Sequence, residues 1–366
     1  MKFPRKDPNK TKPPAQPVNS NGYAVGLDLG ATSVRATILE LSTSNGHPSA
    51  TAHGTGSVPL PPGAIVNGAV VNQAVVTQAL QRLWAVNGFT CRKVILGVAN
   101  PQVVVRPLEI PNLNPQQRAK ALPFQAREII ALPLDEVILD YVQVGEPDPE
   151  SGLVSGLLIA TPRKPVLAAV EAVERAGLRV ARVDLSSFGA LRSIGDEHLM
   201  VQAVIDLGAQ LTSIVIHDHG VPVLVRTLAR GGQELTELLS DKLDLTPEEA
   251  EQTKRSTGLT GQGDAASDAL QLGIRPLLAE IRSSINYFRA SNDGAQLEGI
   301  SLTGGGSALL GLATALSSQN GVPTELVTPL QHIDRQAAAS RHKAGTTNSD
   351  LDASAVSIGL AMGAAA

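Results

Sequence analysis

Two aspartates, Asp28 and Asp206, each open the tetrad Asp-Leu-Gly-Ala, at 28–31 and 206–209, and each tetrad stands between two apolar runs. Tyr23 to Leu27 precedes the first, and Val34 to Leu41 follows it into the turn Thr43 to Gly46. Val201 to Ile205 precedes the second, and Ser213 to His217 leads through the turn Asp218 to Gly220 into a third strand, Val221 to Leu228. Glycine lets a tight hairpin bring backbone N–H groups close to a ligand, so two such turns can clasp a polyphosphate from opposite sides. Carboxylates at the strand ends suit Mg²⁺, which takes oxygen ligands and keeps several waters. The expected ligand is Mg-ATP or a close relative, with Asp28 and Asp206 holding the metal through water.

The elements that must position these turns read as a duplicated α/β fold. Gly231 and Gly232 follow the second hairpin and open a helix over Gln233 to Lys242. Thr246 to Glu249 supplies an N-cap, a proline at the first helical position and a capping-box glutamate for a helix to about Ser256. Glu251 and Lys254 lie beyond that first turn and can face a nucleotide base. A long amphipathic helix, Ser267 to Ala290, precedes the strand Gly299 to Thr303 and the run Gly304, Gly305, Gly306. This third glycine turn, before a helix expected over Ala308 to Leu316, again places bare amides where a phosphate or ribose can approach. A helix over Asn72 to Val86 has Val75, Leu80, Leu83 and Trp84 on one face.

From Val94 to Val183 the order is strand, strand, helix (Pro115 to Leu132), strand (Val137 to Val144), strand (Leu153 to Ala160), helix (Lys164 to Ala176), strand, which makes an α+β module. The expected organisation is a tail at 1–20, a first lobe at 21–93 and 184–200 carrying the module at 94–183, a second lobe at 201–333, a polar mobile segment at 334–352 and a closing helix at 353–366. Positions 217 and 219 share a strand face, but a β-turn accounts for His217, Asp218 and His219 without a metal ion.

A chain of 366 residues is too long for one small core and fits two or more lobes. With 43% hydrophobic but only 2% aromatic residues, its core must be built of Ala, Val, Leu and Ile, which suits strands covered by helices. A net charge of −4, with no basic aromatic patch, argues against nucleic-acid binding. The single cysteine, Cys91, excludes an internal disulfide and fits a reducing compartment, with a buried apolar role for the thiol. No apolar stretch reaches the roughly 18 residues that span a bilayer, and no signal segment is evident, so a cytoplasmic protein is expected. The Pro- and Lys-rich residues 1–20 are expected to be disordered.

Two Asp-Leu-Gly hairpins followed by a triple-glycine turn resemble the actin, Hsp70 and sugar-kinase superfamily, whose fold is a pair of duplicated ribonuclease-H-type lobes. Within it, Gly26 to Leu41, Pro61 to Leu80, Thr246 to Leu259, Glu280 to Phe288 leading into Ile300 to Leu309, and Ala355 to Gly363 resemble the PilM family of type IV pilus assembly, itself similar to the FtsA division proteins. The module sits where those families carry an extra α+β subdomain in the first lobe. The resemblance assigns Asp28, Gly30, Thr32, Ser33 and Arg35 to a first phosphate motif, and Asp206, Gly208 and Thr212 to a second. It sets Gly231 and Gly232 on the phosphate and ribose side, Glu251 and Lys254 on the adenosine side, and Gly304 to Gly306 on the remaining face.

Arg35 stands where such proteins often have lysine, and Ser283 where a basic residue is expected. Asp184 lies near the position of a water-orienting group in related ATPases, and a polar strand end is its other reading. The family implies an ATP-binding scaffold with slow hydrolysis at most. Its partner is the short cytoplasmic N-terminal peptide of a PilN-like membrane protein, received in a groove between the first lobe and the module. The uncharged closing segment makes membrane contact indirect. Self-association into FtsA-like filaments, and a small-molecule kinase, are the alternatives.

Overall fold

A computed structural model describes residues 22–44, 47–196, 198–261, 263–292, 294–329 and 354–365. Expectations for the tail at 1–20 and the segment at 334–352 lie outside those residues.

Two five-stranded sheets repeat one topology. In the first, β1 (Tyr23–Leu29), β2 (Ser33–Ser44) and β3 (His47–Pro59) form an antiparallel meander, and β6 (Lys93–Val98) and β10 (Arg179–Leu185) add in parallel on the other side of β1, giving the order β10-β6-β1-β2-β3. In the second, β11 (Val201–Leu207), β12 (Thr212–Asp218) and β13 (Val221–Leu228) form the meander, with β14 (Gly299–Thr303) and β15 (Thr324–Leu326) in parallel beyond β11. The duplication read from the two tetrads is therefore a duplication of whole sheets.

Each sheet is covered on both faces, which is why its central strands read as unbroken apolar runs. Val25, Leu27, Leu96 and Val94 face α1 (Gln73–Asn87) and α3 (Arg163–Arg175) on the outer side of the first sheet. Ile205, Leu207, Ile214 and Ile216 face α5 (Gly232–Leu243), α6 (Pro247–Thr257), α7 (Ala265–Ser291) and α8 (Leu312–Asn320) on the outer side of the second. Between the sheets lie α4 (Ser186–Ile194) and α9 (Ala355–Met362), packed against Ala24, Leu39 and Ile95 of one and Val204, Val215 and Val225 of the other.

Helix α9 is apolar all round because it is buried all round: every residue from Ala355 to Ala361 is inaccessible. Its backbone lies against its neighbours. A Cβ on Gly359 would fall 1.7 Å from the Gly189 carbonyl oxygen of α4, and one on Gly26 would fall 1.9 Å from the Ser357 carbonyl oxygen. Its polar groups are satisfied inside, with Ser357 Oγ 2.7 Å from Thr37 Oγ1. Among the described residues no helix is long and apolar enough to cross a membrane.

The inserted module is narrower than expected. Its sheet, β7 (Val104–Pro111), β8 (Val137–Gln143) and β9 (Leu153–Pro162), has the order β7-β9-β8. Ile110, Tyr141, Leu158 and Ala160 on one face pack with Leu122 and Ala126 of α2 (Pro115–Ala126), while Val105, Leu157 and Ile159 on the other join the central core. Strands β6 and β10, which fall inside the expected bounds of 94–183, belong instead to the first sheet, where Gly26 pairs with Ile95 and Val183 with Leu96. Helix α3 likewise joins α1 in the first lobe's core. Helix α2 stops short of Leu132 because the chain tightens there, Ile129 and Ile130 both donating to the Ala126 carbonyl.

Thr246 and Glu249 make the reciprocal capping box read from sequence on α6, and Asn72, read as the first residue of a helix, instead caps α1 by accepting from Val75 N–H. Between β3 and α1 a short hairpin projects, β4 (Ile65–Val66) and β5 (Ala69–Val70), joined through Asn67 and Gly68 at φ 48° and 78°. Positive φ at both central residues is the requirement of a type I′ turn, which Asn-Gly meets.

Candidate functional site

The two tetrads close identical turns at the ends of the equivalent strands β1 and β11. Gly30 N–H donates to the Ser33 carbonyl at 3.0 Å, and Gly208 N–H to the Leu211 carbonyl at 2.9 Å. The turns set Asp28 opposite Arg35 in β2 and Asp206 opposite Ser213 in β12. The carboxylates are close enough to repel. Burial, and after it the charge of Asp28, pushes Asp206 up to about 6. Burial raises Asp28 as well, and Arg35, its Nη1 3.5 Å from Asp28 Oδ2, partly offsets this. Two hydroxyls nearby are buried without a partner: Ser33 Oγ in the first turn, and Thr303 Oγ1, level with Asp206 on the adjacent strand β14.

This donor set fits a divalent cation with phosphates. Two carboxylates in a low-dielectric cleft pay a repulsion that a cation relieves, and unpartnered hydroxyls await a ligand oxygen or water. Among the described residues no group of three or more His, Cys, Asp or Glu gathers, so a metal here would rest on two carboxylates and keep water and ligand oxygens.

The structure distributes the remaining expected residues unevenly. Thr32 is exposed at the tip of the first turn. Thr212 is fully buried and its Oγ1 donates to the Arg230 carbonyl at 2.8 Å, so it braces the end of β13. Gly231 and Gly232 press against the second turn: Gly232 N–H donates to the Gly208 carbonyl at 2.9 Å, and a Cβ on Gly231 would lie 2.4 Å from the Ala209 carbonyl oxygen. Lys254, buried at 8% exposure, spends its ammonium protons on the Gly232 carbonyl (3.0 Å), Thr236 Oγ1 (2.7 Å) and Glu251 Oε2 (2.5 Å). Burial would raise Glu251, but hydrogen bonds from Lys254, Arg255 and Thr236 outweigh it and hold it below the usual range. Thr236, the residue that completes this network, carries no sequence signal except its place one helical turn after Gly232.

The triple glycine divides by role. Gly304 has φ +85°, and a Cβ there would fall 2.3 Å from Asp206 Oδ1; one on Gly306 would strike Leu207 Cδ2 at 1.9 Å. Only Gly305 looks onto open space. A short 3-10 turn, Gly305–Ala308, follows, and the α-helix starts at Leu312 after Gly311 at φ +84°, later than expected.

Asp184 stands level with Gly97 in β6, which places it on the sheet face of Asp28 two strands away. Its carboxylate is ion-paired to Arg192 and accepts Leu185 N–H at 2.8 Å, while Arg192 and Arg182 cap carbonyls of α9 and the turn after it. His217 is buried, and its Nδ1 accepts Gly220 N–H at 3.1 Å, so Nε2 donates to Gln202 Oε1 at 3.0 Å. Burial pushes it down to about 4, and the turn explanation accounts for the His-Asp-His run. Ser283 is exposed on α7. A cavity of about 340 Å³ beside Trp84, Phe89 and Arg92 lies at the outer end of α1, away from both tetrads.

Comparison with known proteins agrees with this architecture. Residues 26–365 match the family described as type IV pilus assembly protein PilM. The cell division protein FtsA of Bacillus subtilis (strain 168) is 24% identical over 277 residues, 69% of this chain, and the chain spans only 62% of that relative's length. A solved PilM-PilN type IV pilus biogenesis complex contains a chain 28% identical, with a TM-score of 0.76 over 94% of this chain and 98% of that one. The ethanolamine utilization protein EutJ from Carboxydothermus hydrogenoformans (15% identical, TM-score 0.55, 95% and 92% covered) and MreB5 of Spiroplasma citri bound to AMPPNP (12%, 0.52, 94% and 96%) share the fold. The fold is therefore actin-like, and the chain belongs to the PilM family of type IV pilus assembly proteins.

Proposed function

We propose that this chain binds Mg-ATP in the cleft between its two tetrad turns, and that bound nucleotide fixes the relation of the lobes while the 104–162 module and the first lobe present a surface to the N-terminal cytoplasmic tail of a PilN-like inner-membrane protein. One observation carries the nucleotide reading: two half-buried, mutually repelling aspartates end equivalent strands of duplicated sheets, beside hydroxyls left without partners. Asp28 and Asp206 would hold Mg²⁺ through water, which neutralises phosphate charge. Gly30, Thr32, Ser33, Arg35, Gly208 and Gly305 line the phosphates and the open face. Gly231, Gly232, Glu251 and Lys254 set the second turn for the ribose and adenosine side. That MreB5 was solved with AMPPNP and with ADP supports a nucleotide in this fold.

Hydrolysis is slow on this reading. Asp184, the one candidate for orienting water, is neutralised by Arg192 and engaged with α9. The partner reading is supported by family membership and by likeness to a chain solved with PilN. It places the protein in the cytoplasm at the inner face of the membrane, in contact with it through that partner. Titration calorimetry with ATP, with Mg²⁺ and then with EDTA, tests the first part; anisotropy of a labelled PilN-type tail peptide tests the second. Absence of Mg-dependent binding sinks the nucleotide reading. The FtsA relative favours a second reading, assembly into filaments, which sedimentation with Mg-ATP would reveal.

A further inference from the structure

The stretch from Leu60 to Gly68 lies between β3 and α1 and supplies no group to the clasp described above. It nevertheless touches both phosphate turns at equivalent residues. By their matching hydrogen bonds the turns align residue for residue, which makes Thr32 of the first equivalent to Gln210 of the second. Leu60 N–H donates to the Thr32 carbonyl at 2.8 Å. Asn67 N–H donates to Gln210 Oε1 at 2.9 Å.

The second contact crosses from the first lobe to the second, and it is built. The Asn67–Gly68 tip is a type I′ turn, wedged so tightly that a Cβ on Gly68 would lie 1.8 Å from the Ala99 carbonyl oxygen and 3.4 Å from Leu211 Cδ1. Asn100 Nδ2 holds the Asn67 carbonyl from behind at 3.4 Å. On the other side Gln210 Nε2 donates to Gln233 Oε1 at 3.2 Å, and Gln233, by its own N–H, donates to the Ala209 carbonyl at 2.8 Å. Gln210 thus joins the finger, the second turn and the start of α5. Neither Gln210 nor Asn67 has a charge or a motif of its own to betray this.

We propose that Gln210 is a positioning residue for nucleotide binding: through it the Asn67–Gly68 finger of the first lobe holds the second phosphate turn at a set spacing from the first. A ligand gripped from two sides needs its two grips at a fixed separation, and the 60–68 segment acts as the ruler. The assignment rests on the nucleotide reading above. It adds which contact sets the width of the clasp.

The test uses the full chain with Gln210→Ala and Gln210→Glu. In nucleotide-free protein, hydrogen exchange of the segment 64–72 reports the Asn67 amide. It should quicken in Gln210→Ala and stay protected in Gln210→Glu, which keeps the acceptor, with the melting temperature unchanged because no backbone bond of either turn is lost. Dissociation of the fluorescent analogue mant-ATP, with Mg²⁺, should then be roughly two- to tenfold faster in Gln210→Ala, the range of one neutral hydrogen bond. Unchanged exchange, or lost protection with unchanged dissociation, overturns the assignment. A wild type that binds no mant-ATP overturns the nucleotide reading and the role of Gln210 with it, and the exchange arm then shows separately whether the lobe contact exists.

Discussion

Asp206→Asn should stabilise the empty protein and abolish what the nucleotide adds. A carboxylate that ordinarily titrates at 3.8 is held up to about 6 by burial and by Asp28. Because the folded value is raised, the unfolded chain ionises first as pH climbs past 3.8, and the folded state loses ground until its own carboxylate ionises near 6. Above that the penalty is constant, about 3 kcal/mol from the difference in titration points, about half of it already felt at pH 5. Asp206 retains some contact with solvent, so screening trims the figure toward about 1–2 kcal/mol. Asparagine keeps the shape without the charge. In scanning calorimetry at pH 8 without nucleotide the variant should therefore melt a few degrees above wild type, at about 2 °C per kcal/mol for a large domain. The gap should shrink at pH 5, and with Mg-ATP the wild type should overtake the variant. A variant less stable than wild type by the same margin at both pH values would refute the reasoning, because Asp206 would then be serving the fold rather than waiting for a cation.

Acid should find a separate weak point at His217: pushed down to about 4, it keeps the folded state stable above its ordinary 6.5, and as pH falls from there toward 4 about 3 kcal/mol is lost, so His217→Gln should flatten the acid limb of melting temperature against pH. Within the triple glycine, Gly305→Val should block ATP in calorimetry without lowering the melting temperature, whereas Gly304→Val should destabilise the protein, since its Cβ meets Asp206 at a φ of +85°. Asp184→Ala should lower the melting temperature by loosening Arg192 from α9, yet leave phosphate release as slow as in wild type; a large drop in turnover would restore Asp184 to catalysis.

Local chemistry was legible in the sequence and long-range partnership was not. The repeated turns and the Thr246 capping box follow from residues within four positions of each other, so a linear reading finds them. Strands β6 and β10 were assigned to the module because a parallel strand carries no turn to name its partner, and only Gly26 against Ile95 reveals the first sheet's claim on them. Asp184 was open to two readings, a water-orienting group or a polar strand end, because its ion-pair partner Arg192 lies eight residues on, in the helix α4 that follows β10. The triple glycine looked uniform, and the side chain of Leu207 and carboxylate of Asp206 are what make Gly304 and Gly306 structural.

The crossing of α4 and α9 has a mechanical meaning. Helix α4 carries the chain from one sheet to the other, and where it meets α9 the backbones approach closely at Gly189 and Gly359, with the Leu360 side chain seated over Gly189 and Arg192 Nη1 donating to the Gly359 carbonyl at 2.8 Å. The close approach forbids the helices to move nearer, while the seated leucine and the arginine hydrogen bond resist sliding and turning, so the crossing is a braced joint. The two sheets are therefore braced through this crossing by side chains that α4 and α9 themselves supply. The module at 104–162 rests on the same braced layer, which Val105, Leu157 and Ile159 on one face of its sheet join.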